Sequence, residues 1–248
     1  MPQHTAPTAL VDTGAMRRFH EIVYAPHRWP DGAVLAVPSI IKGRGVRTDR
    51  IPVQDADAFV ELCVRGVRAG ADVYMNVAPQ HPSTAGLDIG VRGGKKTALG
   101  LPALFVDVDT ADGLHKVADK DGQLPLPSRD EAVALMRSLP LAVTVLVATG
   151  GGYHCWCCLD KPLDWQSPDG AEALRRWKDV LGQLFFAAGL HLDVGVVSDP
   201  ARMLRVPGTV NFKRPGDPRP VHILDAWPEP PPTDATSSAA AADDEKAA

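Results

Sequence analysis

The order in which helix and strand patterns follow one another constrains the fold of this chain more than any other feature. Short apolar runs typical of strands mix with longer runs of helical spacing. The predicted strands lie within residues 33–41, 73–77, 104–108, 141–147, 153–159, 203–206 and 221–226, and the predicted helices within 55–70, 128–139 and 171–188. A doubly wound sheet needs regular alternation of strands and helices, which this order lacks. The sequence therefore predicts an α+β fold.

Acidic residues are concentrated at the C-terminal end of the chain. Residues 228–248 contain five acidic residues and one basic residue, so they account for the whole net charge of −4 and leave residues 1–227 neutral. Their Pro- and Ala-rich composition is typical of a disordered tail or linker. We therefore expect one folded domain over residues 1–227, with a loose N-terminus over about residues 1–15.

The cysteines and the hydropathy pattern indicate the cell compartment. No run approaches the roughly 20 apolar residues that a membrane span needs, and no signal-peptide pattern opens the sequence. Cys155, Cys157 and Cys158 follow His154 and would alternate between the two faces of a strand, so they cannot all bind one zinc ion. Buried thiols are the preferred interpretation, and we expect a reduced, cytoplasmic protein with no membrane partner.

Two acidic residues in the predicted strand 104–108 and just after it carry the strongest chemical signal. Asp107 and Asp109 are two positions apart, so their side chains point to the same face, while Val106 and Val108 point to the opposite one. Two carboxylates on one face repel each other unless a cation or a proton lies between them. Their oxygen atoms suit Mg²⁺ or Mn²⁺, although two solvated aspartates at a strand end would give the same pattern.

A glycine-rich turn separates the strands predicted at 141–147 and 153–159. Gly151 and Gly152 follow Thr149, and His154 comes two residues later. Glycines let a backbone turn sharply and expose N–H groups that can hold phosphate oxygens, and His154 could donate a hydrogen bond to a nucleotide. Hairpins also use glycine for steric reasons alone, so this turn is weak evidence by itself.

A third motif combines acidic and basic residues between positions 193 and 213. Arg202, Arg205 and Lys213 offer cationic groups for a triphosphate or a template backbone. Asp193 is the preferred third acidic residue. Asp199 is the alternative, but it precedes a proline close to the arginines, where it would instead orient Arg202.

Basic residues also cluster in two Gly-rich segments that we expect to be loops. A neutral body can still bind phosphate through such local patches, although solvated loops would look the same. The candidate DNA-binding residues are Lys42, Arg44 and Arg47 in the first segment and Arg92, Lys95 and Lys96 in the second.

In this order, the three motifs resemble those of the archaeo-eukaryotic primase superfamily, and most of all those of phage and plasmid primase–polymerase domains. The family's Asp-x-Asp strand matches 107–109, its glycine–histidine turn matches 149–154, and its Arg-x-x-Arg-x-Pro-Gly-Thr-x-Asn-x-Lys run matches 202–213. The resemblance covers residues 73–213 well and the first seventy residues only loosely.

The resemblance implies a catalytic core related to the RNA-recognition-motif fold, beside an accessory N-terminal α/β module. It implies template-dependent synthesis or extension of primers from NTPs or dNTPs on single-stranded DNA, and a helicase as a further partner. Asp107, Asp109 and Asp193 would hold two Mg²⁺ or Mn²⁺ ions, and His154 would contact the nucleotide. A non-catalytic replication-initiator or DNA-binding module and a metal-dependent nuclease remain the alternatives.

Overall fold

The computed structural model describes residues 10–88, 91, 93–113, 124–214 and 216–226. Within these residues the chain forms four α-helices and ten β-strands. The helices are α1 (Thr13–Tyr24), α2 (Ala56–Arg68), α3 (Arg129–Arg137) and α4 (Pro168–Ala187). The strands are β1 (Val34–Ile41), β2 (Gly45–Pro52), β3 (Asp72–Asn76), β4 (Leu101–Asp109), β5 (Val145–Ala148), β6 (Gly152–Leu163), β7 (Met203–Arg205), β8 (Val210–Asn211), β9 (Arg219–Pro220) and β10 (His222–Ala226). Helices and antiparallel sheets are mixed, which confirms the α+β prediction.

The first sheet has the strand order β2-β1-β3-β7 and is antiparallel throughout. β1 and β2 form a hairpin whose register runs from Val34 opposite Pro52 to Ile41 opposite Gly45. β7 comes from the C-terminal half of the chain and pairs with β3, so the N-terminal α/β module is completed by a distant segment. This pairing carries the arginines of the third motif to the edge of the first sheet.

The second sheet has the order β10-β5-β6-β4 and carries the first two motifs. α3 and α4 cover one face of it, where Met136, Trp177 and Leu181 pack with Val106 and Val108 of β4. The opposite face contributes buried side chains to a second hydrophobic cluster, together with α1, α2 and the first sheet. Both faces are therefore buried over most of the sheet, and the acidic residues lie at the end of β4.

Helix α1 joins the two halves of the core. Phe19 packs edge-on against Trp156 of β6, with ring centroids 5.3 Å apart, and Tyr24 donates a hydrogen bond of 2.8 Å to the carbonyl of Asn76. Both aromatic residues of α1 are fully buried. One amphipathic helix thus bridges the strand that carries His154 and the strand that precedes the long basic loop.

Local signals located some elements and missed others. The capping box at α3 has the predicted geometry, because the Ser128 hydroxyl accepts from the Glu131 N–H and Glu131 accepts from the Ser128 N–H. Residues 42–49 were expected to be a loop, but only a turn precedes β2, because pairing with β1 stabilises a polar strand. α1 begins at Thr13, inside the segment expected to be loose, with the Asp12 carboxylate capping it.

Two further expectations concern the ends of the chain and the membrane. Residues 1–9 and the acidic segment 228–248 lie outside the described residues. In the described part of the chain, no helix combines the length and the apolar character that crossing a membrane requires.

Candidate active site

The register of β4 and β6 brings the first two motifs together. Asp107 lies directly opposite His154, and Asp109 lies opposite Gly152. The alternation along β4 is as predicted, since Val106 and Val108 are buried against the helices while Asp107 and Asp109 remain partly accessible. The strand therefore presents two carboxylates and, on the adjacent strand, one imidazole to the same side of the sheet.

Asp107 is the most heavily engaged of the acidic residues. Arg202 donates from Nη2 to Oδ2 over 2.8 Å, and His154 Nε2 lies 3.4 Å from Oδ1. Burial favours the neutral acid, but the hydrogen bonds and electrostatic attraction of His154 and Arg202 outweigh it, so the pKa of Asp107 lies well below its usual value. Asp107 is therefore an anion whose two oxygens already have partners.

One small cavity collects acidic residues from two distant segments. Asp107 and Asp109 of β4 line it together with His191, Asp193 and Arg202. Its volume is about 50 Å³, enough for an ion with one or two water molecules. Three acidic residues and one arginine thus line the same cavity.

The two candidates for the third acidic residue have different surroundings. Asp193 lines the cavity, and its carboxylate also accepts a hydrogen bond of 3.0 Å from the Gly195 N–H. Asp199 forms an ion pair with Lys95 at 3.2 Å, and its carbonyl accepts from the Arg202 N–H. Asp199 therefore shapes the turn that leads into Arg202, whereas Asp193 is the acid that shares a space with Asp107.

The donor set fits a hard divalent cation by its chemistry, because carboxylate oxygens are what Mg²⁺ and Mn²⁺ prefer. The carboxylates are not closed around a common point, however. Over residues 10–88, 91, 93–113, 124–214 and 216–226, no three His, Cys, Asp or Glu side chains are gathered closely enough to hold a metal ion. An ion bound at Asp107 would compete with Arg202 and His154 for its two oxygens.

The glycine turn between β5 and β6 is held from both sides by side chains of the C-terminal segment. Asn211 donates to the carbonyl of Thr149 over 2.8 Å, and Arg219 donates to the carbonyl of Gly150 over 2.7 Å. A side chain at Gly152 would place its Cβ 2.2 Å from the carbonyl oxygen of Val108. Gly152 is thus needed for the close approach of β4 and β6, and phosphate binding by the turn stays a prediction.

Arg205 is fixed by residues of β3. Its Nη2 lies 3.1 Å from Asp72 Oδ1, and its guanidinium carbon lies 4.9 Å from the centre of the Tyr74 ring. The same Asp72 oxygen accepts the N–H of Phe212 over 2.9 Å. Arg205 is only 12% exposed, so it orders this corner of the first sheet in addition to any contact with a substrate. Lys213, two residues after Asn211, is exposed.

The predicted DNA-binding residues fall in different places. Lys42 and Arg44 are exposed in the turn of the β1–β2 hairpin, and Lys96 is exposed in the long loop between β3 and β4. Lys95 is paired with Asp199, close to the candidate active site. Arg47 lies in β2 rather than in a loop and is paired with Asp49. Arg92 lies outside the described residues.

The fold can be compared with known structures now that the site is described. The crystal structure of the catalytic domain of primase RepB′ in complex with initiator DNA superposes with a TM-score of 0.51 at 13% identity, over 86% of this chain and 84% of that one. The chain has a primase-like fold. The crystal structure of primase RepB′ gives a TM-score of 0.49 at 12% identity over 85% of this chain, which spans 56% of that protein. No protein-family model and no curated protein sequence matches the chain.

Sequence reasoning missed several residues that shape the site. Asp72 and Tyr74 gave no signal, because their roles depend on the pairing of β3 with β7. Ser198 is fully buried, and its hydroxyl bonds to both backbone groups of Phe105 at the edge of β4. His191 could have been found, since it lies two residues before Asp193 and would share a face with it in an extended segment.

The cysteines do not contribute to the candidate site. Cys155 and Cys157 are buried on the face of β6 that packs against α3 and α4, and Cys158 is half-buried. His154 points to the other face, toward Asp107. The strand alternation therefore separates Cys155 and Cys157 from the imidazole, as the sequence predicted, whereas Cys158 lies on the face of His154 and Trp156.

Proposed function

We propose that this chain is a template-dependent nucleotidyltransferase that synthesises primers or extends DNA from NTPs or dNTPs. The observation that carries the proposal is the convergence of Asp107, Asp109, Asp193 and Arg202 on one cavity, with His154 beside it. These residues come from three separate motifs, and the primase-like fold brings them together. The solved structure with a similar fold is in complex with initiator DNA, which supports DNA as a partner of this chain.

Each side chain has a distinct part in the reaction. The oxygen of a primer 3′-hydroxyl attacks the α-phosphorus of a nucleotide, and the bond from that phosphorus to the leaving pyrophosphate breaks. Mg²⁺ or Mn²⁺ held by Asp107, Asp109 and Asp193 would lower the pKa of the hydroxyl and neutralise the triphosphate. His154 orients Asp107 and reaches the nucleotide. Arg202 stabilises the negative charge on the phosphates, and Arg205 and Lys213 contribute further positive charge.

Two features of the proposal come from the motifs alone. Replication of a phage, a plasmid or another mobile element is the biological setting that the resemblance implies. A helicase, as a neighbouring domain or a separate protein, is the macromolecular partner that it implies. Both are part of the proposal and are tested by reconstitution with a replicative helicase on single-stranded template.

The central experiment is nucleotide incorporation on single-stranded DNA with Mg²⁺ or Mn²⁺. The wild-type chain lengthens a labelled product, and Asp107→Asn with Asp109→Asn leaves no product, because both carboxylates lose their charge without losing their shape. Asp179→Asn is the matched control, since α4 lies on the other face of the second sheet and Asp179 is paired only with exposed residues of its own helix. Melting temperatures of the wild type and the two variants verify that all three proteins fold.

The same assay separates the alternative functions. Shortening of labelled DNA without added nucleotides would identify a nuclease. Binding without incorporation would identify a non-catalytic initiator or DNA-binding module. If the doubly substituted variant still incorporated nucleotides, Asp107 and Asp109 would not be needed for the reaction.

A further inference from the structure

A basic groove lies at the outer edge of the first sheet, away from the candidate active site. It has a volume of about 590 Å³ and runs between β2 and α2. Arg44, Arg47 and Arg65 line it, with Asp49 as the one acidic residue of the lining. Arg65 comes from α2 and carried no signal in the sequence. The groove therefore joins charges from two consecutive elements, a strand and the helix that follows it.

The strand register places this groove on the opposite face of the sheet from the third motif. Arg47 is opposite Ser39, and Ser39 is opposite Val73, so these three side chains share the face that α2 covers. Tyr74 is the next residue after Val73 and pairs with Arg205, so both point to the other face. Arg47, a predicted DNA-binding residue, therefore faces away from Arg205, and the two side chains cannot contact the same part of a template.

The guanidinium groups of the groove are ordered but not neutralised. Arg47 donates from Nε and Nη2 to Asp49 over 3.0 and 2.9 Å, and Arg65 Nη2 lies 3.1 Å from the same carboxylate. One carboxylate cannot balance two guanidinium groups, and Arg44 adds a third. Arg47 and Arg65 remain 58% and 57% exposed, with N–H donors that Asp49 does not use. Fixed, outward-facing guanidinium donors are suited to phosphate.

The shape of the groove suits a polymer rather than a compact anion. Beside the apolar side chains of Ile41, Val46 and Leu62, its lining includes small residues such as Ser39, Gly66 and Ala69, which leave room for an extended chain. At one end it reaches Arg44 in the hairpin turn, where Gly43 has a φ of +81° and open space around it. Lys42 lies on the same turn and is exposed. Positive charge is thus continuous from the groove to the tip of the hairpin.

We infer that this groove binds the phosphate backbone of the single-stranded DNA template outside the candidate active site. In this arrangement the DNA strand passes around the β1–β2 hairpin turn and then lies between β2 and α2, against Arg44, Arg47 and Arg65. This inference rests on the proposed function for the identity of the template, but the groove itself is independent of the acidic residues. It assigns the basic hairpin to a second contact area rather than to the catalytic cleft.

The test compares the binding of short and long single-stranded DNA by fluorescence anisotropy at several salt concentrations. Oligonucleotides of about 5 and about 30 nucleotides are used, because one binding module covers only a few nucleotides. Arg44→Gln with Arg65→Gln should weaken binding of the long strand roughly tenfold at low salt. It should also lower the slope of log affinity against log salt by about 1.4, which is about 0.7 for each lost phosphate contact.

Arg175→Gln with Arg176→Gln is the matched control, since it removes two exposed arginines from α4 and so changes the net charge equally. The control should leave the affinity for the long strand and the salt slope unchanged. Unchanged binding in the groove variant would overturn the inference, and so would an equal loss in the control, because binding would then follow net charge alone. Circular dichroism verifies that both variants fold.

Failure of this inference can be told apart from failure of the proposed function. The groove variant is also prepared in the Asp107→Asn, Asp109→Asn background, which cannot incorporate nucleotides on the proposed mechanism. A groove effect on binding in that background supports the groove whether or not the wild-type chain synthesises primers. If the wild type incorporates nucleotides but the groove variant binds DNA as tightly as the wild type does, the inference about the groove is wrong and the proposed function is not affected.

Discussion

The ion pair between Arg202 and Asp107 leads to a prediction about the affinity of the candidate site for a metal ion. Arg202 Nη2 lies 2.8 Å from Asp107 Oδ2, and the two side chains are 35% and 19% exposed. An ion that binds this oxygen competes with Arg202 for its lone pairs and is repelled by the positive charge of the guanidinium group. Replacing Arg202 with methionine keeps a side chain of similar length and removes the donor. We therefore expect Arg202→Met to bind Mn²⁺ more tightly than the wild type when no nucleotide is present.

The size of the effect follows from the strength of the contact that is lost. A hydrogen bond between two charged groups contributes about 1.5–3 kcal/mol, and partial exposure of Arg202 reduces this to about 1–2 kcal/mol. At about 1.4 kcal/mol per tenfold change, the Mn²⁺ dissociation constant should fall about 5- to 30-fold. Nucleotide incorporation should fall in the same variant, because Arg202 also has to stabilise the phosphates.

Electron paramagnetic resonance of free Mn²⁺ measures this affinity directly. Arg205→Met is the control, since Arg205 is paired with Asp72, which does not line the cavity, and its Mn²⁺ affinity should match that of the wild type. An Arg202→Met variant that binds Mn²⁺ as weakly as the wild type, or more weakly, would refute the reasoning. Such a result would mean that Asp107 does not have to leave Arg202 in order to bind the ion.

Two further substitutions test the supports of the site. Ser198→Ala leaves the edge N–H of Phe105 without its partner, while the Phe105 carbonyl keeps the indole N–H of Trp177, so urea denaturation should show a loss of about 1–3 kcal/mol, and an unchanged midpoint would contradict this. Gly152→Ala should be the more damaging change, because its Cβ would lie 2.2 Å from the Val108 carbonyl oxygen and force β4 and β6 apart. Gly182→Ala is its control, because the space around that helical glycine is ordinary and alanine should stabilise α4 by about 0.5–1 kcal/mol; similar melting temperatures for the two variants would disprove the steric argument.

The sequence predicted those features that depend on neighbours along the chain. The alternation around Asp107 and Asp109 put both carboxylates on one face, and the structure has them there, because a side-chain period of two is a property of any strand. The capping box at Ser128 and Glu131 fixed the start of α3 for a similar reason, since both hydrogen bonds form within one turn. Local geometry is enough for such features.

The remaining features depend on pairings between distant segments. In the sequence, Arg47 was expected in a basic loop and Arg205 within the predicted strand 203–206, and both were candidate contacts for phosphate groups. Their faces are opposite because Ser39 pairs with Val73 and Tyr74 pairs with Arg205, and no local pattern contains that register. A shift of one residue in either pairing would bring the two arginines onto the same face.

The charges of the candidate site show a second reason why its residues are hard to read from sequence. Arg202 is paired with Asp107, Arg205 with Asp72 and Lys95 with Asp199, so three predicted ligands of phosphate or template already have acidic partners. A partner that lines the cavity can be taken over by an incoming cation, whereas Asp72 accepts a backbone N–H as well and has a structural task. On the proposed function, a nucleotide with its metal ion would therefore compete for the ion pair at Asp107 and leave the pair of Arg205 with Asp72 in place. On this argument Arg202 would change its partner when the metal ion binds, whereas Arg205 would keep its ion pair with Asp72 and stabilise the local structure.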